Sequence, residues 1–127
     1  MSHDITTVDD VRLLVTTFYN AVRANETLAP VFALRINDDA WGPHLDRMTL
    51  FWSHLLLGEH GYSGNPLRQH IGLPLTEQHF TVWLSLWTST VIAHFRGPTA
   101  DEAILKARNI ADVFRSRLIS NDVIRSL

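Results

Sequence analysis

The 127-residue chain has no cysteine, which removes both a disulfide framework and a thiolate-held metal centre. That fits a reducing compartment, and a cytoplasmic protein is expected. Neither sign of charge is in excess. Eleven basic residues stand against thirteen acidic ones, for a net charge of −2, and no short window gathers more than two basic side chains. A nucleic acid, whose phosphates need a cationic surface, is therefore not an expected partner. The opening "MSHDITTVDD" has neither a cationic start nor an apolar h-region, so nothing suggests export. HExxH, GxSxG and GxGxxG are all missing, which speaks against a zincin, a nucleophile elbow and a dinucleotide loop. One uncharged run tests the soluble reading. "QHFTVWLSLWTSTVIAHF", residues 78–95, passes eighteen positions without Asp, Glu, Lys or Arg, but five Ser or Thr, two His and a Gln interrupt it. A membrane span calls for a more continuous apolar surface of about twenty residues. The run reads instead as a central helix wrapped by its neighbours, and no membrane partner is expected.

What is present is helical spacing. A hydrophobic fraction of 46% and a charged fraction of 19% over this length suit one globular domain, residues 1–127. Thr7 followed by Asp10 resembles a capping box, and Val11, Leu14, Val15, Phe18 and Val22 then keep to one face, predicting a helix over 8–25. The segment "LAPVFAL" is a short element with Pro30 in its first turn and Phe32 as its bulkiest apolar side chain. "NDD", 37–39, offers a cap for a helix over 40–57, whose stripe is Met48, Phe51, Trp52 and Leu55 and which Gly58 can stop. "GEHGYSGNP" then brings three glycines and a proline within nine residues, an irregular connection of the kind that carries function. After Pro74 comes the uncharged helix, with Phe80, Trp83, Trp87 and Val91 in line. "RGP" breaks it, and Thr99 with Glu102 is expected to cap a last helix whose apolar face is Ile104, Ala107, Ala111, Phe114 and Leu118. The expected fold is all-α.

Two features suggest a site. His70 sits between Pro66 and Pro74 at the end of the irregular connection, placed to deliver an imidazole toward the core. The inner faces also carry more aromatic bulk than a short four-helix core needs, and Tyr19 and Trp83 bring polar tips that require partners when buried. His44 and His54 lie ten residues apart, about 80° around a helix, and cannot share a metal as an i, i+4 pair could. An enclosed iron porphyrin would supply apolar contact area, a metal for His70 and a diatomic ligand for the two polar aromatics. A cofactor-free helical interaction module is the alternative.

At these residues the sequence resembles a known family. "FYNAVR", "LAPVFAL", "HLDRMTLFWSHLLLG", "YSGNPLRQHIGLP" and "FTVWLSLW", in this order over roughly residues 8–118, resemble the group III truncated haemoglobins. The absence of the glycine-pair motifs of the other truncated groups is consistent with group III. The resemblance implies a shortened globin fold, a two-over-two helical sandwich enclosing heme b (iron protoporphyrin IX). It implies His70 as the proximal ligand of a five-coordinate iron, Tyr19 and Trp83 as a distal hydrogen-bonding pair, and His44 at the distal histidine position. Phe32 matches the aromatic that packs on the porphyrin, Met48 lies one turn beyond His44 facing inward, and Arg47 and Arg68 are candidates for the propionates. Following Pro43 at a helix start, His44 could be an exposed residue, a movable gate or a second iron ligand; steric occupancy by Tyr19 and Trp83 favours the gate. The function implied is tight binding of oxygen, carbon monoxide and nitric oxide. Such a pocket suits oxygen transport less than nitric oxide or peroxide detoxification, which would need a reductase, here unknown. A haem-based peroxidase-like enzyme is the other reading.

Overall fold

The computed structural model describes residues 2–64, 66, 70 and 72–126, with side chains as far as Leu118. Five α-helices occupy most of it: α1 (Val8–Arg23), α2 (Ala29–Ala33), α3 (Trp41–Leu57), α4 (Glu77–His94) and α5 (Pro98–Ser126), with a 3-10 turn at Asp38–Ala40 before α3. They pair two over two, α1 against α3 and α4 against α5, with α1 also crossing onto α4. The expected all-α, two-over-two architecture is the one observed.

The first helix begins where its sequence says. Thr7 caps it, its hydroxyl accepting from the Asp10 amide at 3.1 Å while Asp10 accepts from the Thr7 amide at 3.1 Å. Packing contributes far more than this cap. Val11, Leu14, Val15, Phe18 and Val22 are all at most 1% exposed, and each buried side chain of this kind stabilises by about 1.5–3 kcal/mol against about 1 kcal/mol for a cap. Gly58 ends α3 in the left-handed region, at φ 71°, where a side chain would be strained.

Two expected caps are corrected. "NDD" caps the 3-10 turn by position only: Asn37 makes no side-chain cap bond, and α3 starts after Ala40. Nor does Thr99 with Glu102 cap the last helix. The N-terminal arm does so from the other end of the chain, Asp4 accepting from the Thr99 amide at 3.0 Å and the Ala100 amide at 2.8 Å, while Glu102 pairs with Lys106 at 3.4 Å. A local motif lost to a carboxylate ninety-odd positions away because the arm is anchored there by buried Ile5 and by the Arg96 amide donating to the His3 carbonyl at 2.9 Å. Gly97, at φ 144°, permits the approach; a Cβ there would meet Asp4 at 2.5 Å.

Between the layers stands an aromatic column. Trp52 of α3 stacks on Trp87 of α4 with centroids 4.3 Å apart, Trp83 lies parallel to Trp87 at 6.3 Å, and Phe18 of α1 meets Trp87 edge-on at 5.0 Å. The Trp87 indole donates to the Ala103 carbonyl at 3.1 Å. Small residues on α5, Ala100, Ala103 and Ala107, all buried, let α4 come that close. Among the described residues no helix is long and apolar enough to cross a membrane.

Candidate functional site

The site grows from the end of this column that faces α2 and the start of α3. Tyr19 follows Phe18 on α1 and is turned inward, 6% exposed. Its ring meets Phe18 at 4.9 Å, Phe32 of α2 at 5.9 Å and His44 of α3 at 4.8 Å, all near edge-on. Trp83 meets Phe18 from the other side, at 5.9 Å and 89°. One phenylalanine therefore separates the two polar-tipped aromatics. Burial pushes the Tyr19 phenol well above its ordinary value, so it stays a protonated hydrogen-bond donor at any physiological pH.

His44 is the clearest sign that something is to be bound. Instead of pointing to solvent from the first turn of α3, the ring lies between Tyr19 and Trp41, 5.5 Å from the latter at 88°. Its Nε2 is buried without a hydrogen-bond partner. Burial first, then the positive charges of Arg47 and His70, push its pKa down to about 4. A half-buried, neutral imidazole whose buried nitrogen is unsatisfied is costly by about 1–3 kcal/mol unless a ligand supplies the partner.

His70 bears electrostatically on His44 and brings the complementary chemistry. Its Nδ1 lies 2.5 Å from the Pro66 carbonyl. A carbonyl only accepts, so Nδ1 carries the proton and Nε2 keeps its lone pair. Burial lowers the His70 pKa, the bond to Pro66 opposes this, and the Arg35 charge lowers it further, which keeps the ring neutral. Phe114 of α5 braces the ring at 5.0 Å. A neutral imidazole oriented through Nδ1 by a backbone acceptor is what a metal ligand needs.

The remaining expected residues are distributed as follows. Met48 is half-buried against the core, one turn beyond His44, and Phe32 is half-buried against Tyr19 and Trp41. Arg47 is exposed at the rim on α3, while Arg68 lies outside the described residues. Trp41 escaped the sequence reading. It is 7% exposed and packs on Tyr19, Phe32 and His44, with the Arg23 guanidinium 4.7 Å above its ring. The spacing Trp41, His44, Met48 was the available signal, a helical stripe starting about two turns before Met48.

No family model matches the chain. A curated relative, the group 3 truncated hemoglobin ctb of Campylobacter jejuni, is 30% identical over 113 residues, covering 87% of this chain and 89% of the relative. The crystal structure of a group III truncated hemoglobin from Campylobacter jejuni superposes with a TM-score of 0.84 at 30% identity, over 93% of this chain and 95% of that one.

Proposed function

The chain belongs to the group III truncated haemoglobins, and from that premise we propose that it would hold a b-type haem through His70 and bind oxygen and other diatomic ligands. The residues present fit such a group. The observation that carries the reading is the bond from His70 Nδ1–H to the Pro66 carbonyl, which leaves the lone pair on Nε2 for a metal. The orphaned Nε2 of His44 is the second. Bound haem supplies an iron with one open position for a diatomic ligand and a redox centre.

The chain's own part is to orient and to discriminate. His70 would hold the iron through Nε2, its tautomer set before binding by the Pro66 carbonyl. Phe32 and Met48 give apolar contact, and Arg47 and Arg68 are the candidate propionate partners. Tyr19 and Trp83 donate hydrogen bonds toward a ligand that gathers partial negative charge, favouring oxygen over carbon monoxide and slowing its escape. A pocket that holds oxygen this firmly suits detoxification of nitric oxide or peroxide, with electrons from a reductase, better than transport. His44, held edge-on against Tyr19, acts as a gate that swings outward to admit ligand. Its low inward pKa means that protonation expels it, so carbon monoxide binding should accelerate as pH falls below about 6.5, the value of an exposed imidazole.

The test is an absorption spectrum of the purified protein in ferric, ferrous and carbon-monoxide forms, repeated for His70→Gly. The parent should show a five-coordinate ferrous haem. The variant should lose haem, and added imidazole should restore that spectrum. Unchanged haem binding by His70→Gly without imidazole removes His70 from the role.

A further inference from the structure

The slot that holds His44 is fastened from outside by Arg23. Tyr19 and Arg23 stand one turn apart at the end of α1, and Trp41 and His44 stand one turn apart at the start of α3, so the two helices meet in matched pairs. The His44 ring lies 4.8 Å from Tyr19 and 5.5 Å from Trp41, and Tyr19 lies 5.8 Å from Trp41, which leaves the imidazole gripped by two rings that also touch each other. Over the Trp41 ring, 4.7 Å from its centroid, sits the Arg23 guanidinium. The indole is 7% exposed and the arginine side chain 45%, so the arginine stands between Trp41 and water.

Two further contacts hold this arrangement. Phe32 of α2 stacks on the indole at 6.2 Å and 27°, and Asp38 of the 3-10 turn lies 3.8 Å from the guanidinium. Asp38 is fully exposed, so its ion pair only steers Arg23. The attraction of the cation for the indole face is what pins the ring. For His44 to swing outward its edge contact with Trp41 must break, and whatever pins the indole opposes that swing. We infer that Trp41 is a positioning residue, latched by Arg23, that keeps His44 turned into the site and so sets how often the gate opens. The latch rests on the gate reading above and extends it beyond the imidazole itself.

The test is how often His44 reaches solvent. Diethyl pyrocarbonate acylates an imidazole nitrogen that becomes accessible, and mass spectrometry of the digested protein assigns the adduct to His44 among the seven histidines. Carbon monoxide entry into the ferrous haem protein, followed by flash photolysis, reads the same motion through the ligand. Arg23→Leu removes the cation from a half-exposed position at a helix end and leaves the indole in place, so its fold is secure. Both rates should rise about two- to fivefold, the contribution of one cation–π contact at a partly exposed site. In His44→Ala, which has no ring to swing, carbon monoxide entry should be fast, and adding Arg23→Leu should not change it further. Unaltered acylation or unaltered entry in Arg23→Leu overturns the latch, as does an equal acceleration of entry in the parent and His44→Ala backgrounds, which would mark a general loosening. The acylation needs no haem, so a protein that takes up none would sink the haem reading while the latch is still decided on His44 itself. If His44→Ala alone leaves entry unchanged, the imidazole is no gate and the latch falls with it.

Discussion

Replacing His44 by leucine should make the haem-free protein more stable, and more so in acid. At neutral pH the substitution removes a buried nitrogen without a partner, a burden of about 1–3 kcal/mol, and leaves an apolar side chain between Tyr19 and Trp41. A second contribution depends on pH. The folded-state pKa of about 4 lies below the ordinary histidine value of 6.5, through burial and then the charges of Arg47 and His70. Between those values the unfolded chain binds the extra proton, so the parent loses stability as pH falls from 6.5 to 4 and the loss levels off below. At pH 5 the unscreened penalty is about 1.36 kcal/mol per unit over 1.5 units, about 2 kcal/mol, and because the ring is only partly buried about half should be realised. Urea unfolding of the haem-free protein is the assay. His44→Leu should exceed the parent by about 1 kcal/mol at pH 7.5 and by about 2 kcal/mol at pH 5. A variant less stable than the parent at both pH values, or a difference that does not grow in acid, refutes the reasoning.

Tyr19→Phe and Trp83→Phe should each speed oxygen release from the haem protein by about 10- to 150-fold, the loss of one hydrogen bond of about 1.5–3 kcal/mol; release within twofold of the parent in both variants, followed by stopped flow, would misplace the donors. Asp4→Ala should lower the unfolding free energy by about 1–2 kcal/mol, since the carboxylate accepts from the Ile5, Thr99 and Ala100 amides. Burial raises the Asp4 pKa, but those bonds outweigh it and leave the value lowered from 3.8. Its contribution is therefore complete above that pH and lost as pH falls through the lower folded value, so parent and variant should converge in strong acid. Gly97→Ala should be destabilised as well, because its φ of 144° and the Asp4 side chain 2.5 Å from the new Cβ both oppose a side chain; equal thermal midpoints for Gly97→Ala and the parent would show that the arm can lift at no cost.

The sequence by itself determined the helices and their inner faces, because period 3.6 is a local property of the chain. Val11 to Val22 on α1, Trp87 and Val91 on α4, and Ala107 and Ala111 on α5 all lie inside as their spacing requires. It also singled out His70, Tyr19 and Trp83, whose residue types in a familiar order carried the family resemblance. Tertiary structure alone decided how the polar ends are satisfied. Asp4 rather than Glu102 closes α5, since a carboxylate brought by the fold presents itself to two amides at once and leaves Glu102 to Lys106. His44 turns inward although its place after Pro43 allows either direction, because Tyr19 and Trp41 form an apolar slot that no local pattern discloses. Tyr62 lays its ring edge-on against Phe51, across an irregular connection without periodicity. Periodicity reports which face is apolar; the partner of a hydrogen bond or a charge is set by distances across the fold, and these exist only once the helices have packed.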